Sequence, residues 1–251
     1  MMRLIALLLS LTVCFAWYGQ EPADQEKKTV NAILKLGGKV KRDEKLPGRP
    51  IAVIDLTGTK VTDSDLKDLK ELKDLYWLVL RSTGITDAGL KEVKELKGLQ
   101  FLQLESTKIT DAGLKELKEI KGLQQLRLDD TQVTDVGLKE LKELKGLRLL
   151  GLSGTQTTDA GLKDLKELKG LEELWLDDTQ ITDAGVKDLK ELKGLQTLFL
   201  CETKITDAGL KDLKELKELK GLRKLDLGGT KITNAGLKDL KQALPKTYIC
   251  N

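Results

Sequence analysis

From Ile51 onward the chain repeats itself, with units beginning at Ile51, Leu75, Leu99, Leu123, Leu147, Leu171, Leu195 and Leu222. Six successive steps are 24 residues long, and the seventh is 27 because a Glu-Leu-Lys triplet is duplicated within 213–220. A partial ninth unit follows at Lys246–Asn251. A unit of this size cannot bury its own leucines. Neighbours stacked in a row share one continuous core, so the period predicts a solenoid before any local structure is considered.

Two periodicities alternate within each unit. Leu99-Gln-Phe-Leu102-Gln-Leu104 alternates around Leu-x-Leu, which predicts a short strand. Leu114, Leu117 and Ile120 recur at spacing three, which predicts a helix with one apolar stripe at about 100° per residue. Thr110 stands where an N-cap belongs, and Asp111 suits the helix dipole. Gly122 is expected to end the helix as a left-handed cap. Lys115, Glu116, Lys118 and Glu119 place both signs on the outward face. Repeated, this rhythm accounts for most of the 33% charged residues without a partner.

Strands pair at about 4.8 Å, while helices are about 10 Å across. That mismatch bends the stack. The expected fold is therefore α/β: an open horseshoe of eight repeats of about 24 residues, parallel strands on the concave side and helices on the convex side.

The frame Leu123-Gln-Gln-Leu126-Arg-Leu128-Asp-Asp-Thr131 resembles the leucine-rich repeat family, with Thr131 where the family usually carries Asn or Cys. The next segment, Val133-Thr-Asp-Val-Gly-Leu138, is similar to the ITDAGL stretch of the helical, ribonuclease-inhibitor-like type, which F-box repeat proteins also carry. The resemblance covers residues 51–251, about four fifths of the chain. No F-box-like segment precedes the repeats, which argues against a ubiquitin-ligase adaptor.

Ahead of the repeats, Arg3 precedes an uncharged run from Leu4 to Gln20. That is the form of a signal peptide over 1–18, with cleavage near 16–20. It makes the chain resemble a secreted, bacterial-looking member of the family. Export to the periplasm or exterior is expected, with membrane retention by an uncleaved signal as the lesser alternative. The run is short of the ~20 apolar residues of a stable span. Residues 19–28 read as a flexible leader and 29–50 as an N-terminal cap: a helix over Thr29–Leu36, a stop at Gly37-Gly38 and a covering strand at Lys39–Arg42. The repeats occupy 51–245 and the partial repeat 246–251. Cys201 and Cys250 fall about two strands apart, beyond the usual reach of a disulfide.

Composition narrows function. Forty-three basic residues against 40 acidic give a net charge of +3, too little for the basic field of a nucleic-acid binder. Histidine is absent, which removes the commonest general base, the histidine triads and most catalytic zinc sites. No cysteine cluster has metal spacing, and the Asp-Asp steps lack the ligand density of a calcium loop. No cofactor or metal is expected.

The units differ most at strand positions that point away from the core. One column reads Val53, Trp77, Phe101, Gln125, Leu149, Glu173, Thr197, Lys224. The next reads Asp55, Val79, Gln103, Arg127, Gly151, Trp175, Phe199, Asp226. The third reads Thr57, Arg81, Glu105, Asp129, Ser153, Asp177, Cys201, Gly228. Trp77 and Phe101 are neighbours within a column, as are Trp175 and Phe199, about 5 Å apart. Exposed paired aromatics on a rigid face are anchors for a partner. Expected partner-binding residues are Trp77, Arg81, Phe101, Glu105, Arg127, Asp129, Trp175, Asp177 and Phe199.

The favoured reading is a non-catalytic, exported recognition module for a protein, or else a glycan. Its first rival is a structural or surface repeat protein without a specific ligand. A remote rival is a carboxylate-dependent hydrolase using Asp129/Asp130 with Asp177/Asp178, two repeats apart. Oligomeric state stays open.

Overall fold

The computed structural model describes residues 24–251, so the expected export segment and the start of the leader lie outside the described residues. Ten strands form one sheet in chain order. β1 (Lys39–Arg42) covers the N-terminal edge and pairs antiparallel with β2 (Ile51–Asp55). All later pairings are parallel. Each later repeat contributes one three-residue strand: β3 (Trp77–Val79), β4 (Phe101–Gln103), β5 (Gln125–Arg127), β6 (Leu149–Gly151), β7 (Glu173–Trp175), β8 (Thr197–Phe199) and β9 (Lys224–Asp226). The partial repeat supplies β10 (Tyr248–Cys250). The register advances one unit per strand, so Leu78, Leu102, Leu126, Leu150, Leu174, Leu198 and Leu225 stand side by side with no exposure.

The convex elements are short and mixed. They are α2 (Asp87–Val93), α3 (Asp111–Leu117), α4 (Asp135–Leu138), α5 (Asp159–Leu165), α6 (Asp183–Leu189), α7 (Leu210–Glu215) and α8 (Asn234–Ala243). The first repeat carries a 3-10 helix instead, Asp63–Glu71, and further 3-10 turns cover Lys139–Glu143, Asp207–Gly209 and Leu216–Glu218. The leucine spacing explains this. At 100° per residue, steps of three swing each successive leucine about 60° off the stripe, whereas three residues per turn keep them in line. Leu114, Leu117 and Ile120 are all fully buried.

Gly122 is not the expected cap. α3 ends at Leu117, and Gly122 is not among the residues with positive φ. The left-handed residue falls in the turn after each strand, at Gly58, Ser82, Ser106, Asp130, Gly154, Asp178, Glu202 and Gly229, with φ between 51° and 69°. Next to it, the threonine that replaces the family's Asn closes the turn. The Thr107 hydroxyl donates to the Leu104 carbonyl at 2.6 Å, and Thr131, Thr155 and Thr179 repeat the bond at 2.5–2.6 Å.

At the N-terminus, α1 (Asp24–Lys35) starts five residues before Thr29, inside the stretch read as flexible. Asp24 and Glu26 lie in its first turn, where acids suit the dipole. Glu26 also pairs with Arg42 of β1 at 3.0 Å, and the Thr29 hydroxyl donates to the Gln25 carbonyl.

The Thr-Asp-x-Gly segment couples neighbours. The Thr110 hydroxyl accepts from the Ala112 N–H, as an N-cap does. The same threonine also donates backward: its N–H to Asp87 Oδ1 at 2.9 Å and its hydroxyl to Asp87 Oδ2 at 2.6 Å. Asp63, Asp87, Asp111, Asp135, Asp159, Asp183 and Asp207 each hold the next repeat's threonine this way. Three residues after each of those receiving threonines, a glycine leaves room for the preceding carboxylate. A Cβ on Gly161 would lie 2.4 Å from Asp135 Oδ1.

The ends confirm the logic. Thr62 of the first repeat has no preceding aspartate. Asp65 stands in the glycine's place and takes both bonds, from the Thr62 N–H at 2.8 Å and its hydroxyl at 2.6 Å. In the eighth repeat Asn234 replaces the aspartate.

Outside, lysines reach the glutamate of the following repeat, as in Lys94–Glu116 at 2.8 Å and Lys121–Glu143 at 3.5 Å. These pairs lie at the surface and contribute little to stability. Among the described residues no helix is long and apolar enough to cross a membrane.

Candidate functional site: the concave sheet face

Because each strand is three residues with a leucine in the middle, its first and third residues must face away from the core. They form two of the variable columns, and the residue two further on forms the third. The expected neighbours meet. The Trp77 and Phe101 ring centroids are 5.5 Å apart, and Tyr76, just before β3, meets Phe101 edge-on at 6.1 Å. Trp175 and Phe199 are 5.2 Å apart. Trp77 is the most open of these rings, at 37% exposure.

The C-terminal pair carries its own cations. The Arg127 guanidinium lies 3.9 Å over the Trp175 ring, and Lys224 Nζ lies 4.3 Å over Phe199. Arg127 reaches from β5 across β6 because Gly151 intervenes. A Cβ at Gly151 would sit 2.7 Å from Arg127 Nε and 2.4 Å from Asp129 Oδ2. The Trp175 indole N–H donates to Glu173 at 2.6 Å. Rings, cations and acids here form one pre-set row.

The acids do not present the open face that the columns suggest. Asp129 is buried: its Oδ2 accepts from Arg127 Nε at 2.6 Å and its Oδ1 from the Ser153 N–H at 3.0 Å. Asp177 accepts from the Cys201 N–H at 2.8 Å and the Ser153 hydroxyl at 3.3 Å. Glu105 is also buried, with Oε1 3.7 Å from Arg127 Nη2. Arg127 folds over Glu105 and Asp129, a contact between repeats that no single repeat reveals. Arg81 lies apart, exposed after β3.

Gly151, Lys224 and Ser153 join the site without standing out in the sequence as candidate contacts. Gly151 had a visible signal, as the one glycine in its column. Cys201 and Cys250 are free thiols. Cys201 donates its thiol to Asp226 at 3.0 Å; burial, with that hydrogen bond, pushes its pKa up to about 12.

A model of the leucine-rich repeat region matches residues 49–235. The chain belongs to the leucine-rich repeat family. No curated protein matches its sequence significantly. Among solved structures it is similar to an internalin of Listeria monocytogenes, with a TM-score of 0.64 and 24% identity over 81% of this chain and 54% of that one. It thus spans about half of that internalin's length. Internalin C2 of the same organism gives 0.60 and 27% identity, covering 76% of this chain and 77% of that one. A leucine-rich repeat protein of Leptospira interrogans gives 0.56 and 26% identity, covering 74% and 51%. The open solenoid is thus the family's own architecture, a common scaffold for protein interaction.

Proposed function

We propose that this leucine-rich repeat protein is an exported, non-catalytic recognition module that binds a protein partner on its concave sheet. One observation carries the reading. All six aromatic residues among the described residues stand on that one face, Tyr248 through its register with Lys224 on the last strand. Trp77 with Phe101 and Tyr76 is the open shelf. Trp175 and Phe199 are held rigid by Arg127 and Lys224, so less motion is lost on binding. The carboxylates needed for hydrolysis are engaged: Asp129 and Asp177 each accept two hydrogen bonds within the chain. Export rests on the apolar run from Leu4 to Gln20.

The test is a pull-down with purified protein, run beside a glycan array. Trp77→Ala combined with Trp175→Ala is expected to abolish capture of the partner. If every captured interaction survives both substitutions, the concave face is not the binding surface. Hits confined to the array would make the ligand a glycan.

A further inference from the structure

Charge is unevenly spread along the concave face. Over its first four strands the face holds Lys39, Lys41 and Arg81 against Asp55 and Glu105. From β5 onward it holds Arg127 and Lys224 against Asp129, Glu173, Asp177 and Asp226. The turns after the strands divide the same way. The left-handed position is Gly58, Ser82 and Ser106 in the first three, whereas the later turns add the exposed Asp130, Asp178 and Glu202.

The early acids are occupied within the chain. Asp55 accepts from the Thr57 N–H at 3.0 Å and from its hydroxyl at 2.6 Å, and Glu105 lies buried against Arg127. The early cations are not. Lys39 stands opposite Asp55 and Lys41 opposite Val53, while Val40 between them packs on the core, so both lysines face the concave side. Both are exposed, as is Arg81, and among the described residues none of the three side chains forms an ion pair. Lys39 and Lys41 reach Asp55 only through the longer-range field.

These cations flank the open rings. Lys41, Val53, Trp77 and Phe101 follow one another in a single column. Lys41 therefore stands two strands, about 10 Å, from Trp77. Arg81 follows Trp77 by four residues in the same repeat. Arg127 and Lys224 lie over Trp175 and Phe199, but no cation lies over Trp77 or Phe101 among the described residues. Trp77 is left 37% exposed beside charges that have no carboxylate of their own.

We propose that this N-terminal end of the concave face takes an acidic protein segment. An apolar side chain of the segment lies on Trp77 and Phe101, and carboxylates about three residues away, at 3.3 Å per extended residue, meet Lys41 and Arg81. The inference rests on the concave face being the binding surface and adds the chemistry of the partner. Lysines on an edge strand also repel unwanted strand pairing, a role that Arg81 on an interior repeat does not share.

The probes are two labelled heptapeptides with a central leucine, one among glutamates and one among lysines, titrated against the full chain at low salt. The glutamate peptide is expected to bind, less tightly as salt rises, and the lysine peptide not to. Lys41→Glu with Arg81→Glu should weaken the glutamate peptide about tenfold or more, from two surface charge pairs lost, with the melting temperature unchanged. These substitutions keep the edge strand charged and so keep it guarded. Trp77→Ala should weaken the same peptide. If Lys41 and Arg81 are merely structural, their replacement lowers the melting temperature and leaves the affinity unaltered, and that overturns the proposal. So does an equal loss of affinity from Lys115→Glu with Lys118→Glu on the convex side, which would mean diffuse attraction to the whole chain. If Trp77→Ala with Trp175→Ala abolishes partner capture but the glutamate peptide never binds, recognition by this face stands and the acidic partner falls.

Discussion

Asp135→Ala removes one coupling at the middle of the stack. Two hydrogen bonds go: the Thr158 N–H at 2.8 Å and the Thr158 hydroxyl at 2.6 Å, both to the carboxylate. Bonds to a charged group contribute about 1.5–3 kcal/mol each. The site is part-exposed, so water replaces some of that, and about 2–3 kcal/mol is expected in total. For an array of this size that is a fall of roughly 4–12 °C in melting temperature. The sharper measurement is a cycle with Gly161→Ala in urea unfolding. Alone, the added Cβ meets Asp135 Oδ1 at 2.4 Å and the Leu138 side chain at 2.7 Å, and it should destabilise by about 1–3 kcal/mol. With Asp135 gone, the worst contact disappears and alanine's better helix propensity, about 1 kcal/mol, comes into play. The second substitution should then be close to neutral. Additivity within about 0.5 kcal/mol would refute the claim that Gly161 exists to admit Asp135.

Gly151→Ala should displace Arg127 from Trp175 and cost about 1–3 kcal/mol by overpacking, read as a change in tryptophan emission and a lower urea midpoint; unchanged emission would mean that the cation does not sit over the ring. Cys201 should resist maleimide at pH 9, because its thiol titrates only near 12. The sign for stability follows: above about pH 9 the unfolded thiol loses its proton while the folded one keeps it, so Cys201 contributes stability below pH 9 that is lost as pH rises toward 12. Asp226→Asn should make Cys201 reactive at lower pH, and rapid labelling of the unaltered protein at pH 9 would contradict the assignment.

The leucine columns, the strand positions and the Thr110 cap could be read directly, because each depends on spacing within one unit. The stripe also places the helix, which runs as an α-helix over Asp111–Leu117. Its end is not legible in the same way: the helix stops five residues before Gly122, which does not take the left-handed conformation. The link from Asp111 to Thr134 spans 23 residues, so local reasoning found the aspartate's helix position and missed its partner. The clues were still present as Asp65 and Asn234, the two places where the motif breaks. On the concave face, alternation placed every column. Arg127 lies against Glu105 of the preceding repeat and Asp129 of its own, and reaches over Gly151 to Trp175; no pattern within a repeat carries that.

The forward grip of each aspartate gives the array a grammar. Any unit from the second to the seventh offers the same socket and the same plug side by side in its Thr-Asp-x-Gly segment, the threonine facing the unit before and the aspartate the unit after. A copy inserted among them, or one removed, leaves every joint made. The opening unit fills its own socket with Asp65, and the eighth, with Asn234, lacks the plug's second acceptor oxygen. Length can therefore change by unequal exchange within the interior while both ends keep their form. The horseshoe can then widen or tighten its arc around a partner without its termini being redesigned.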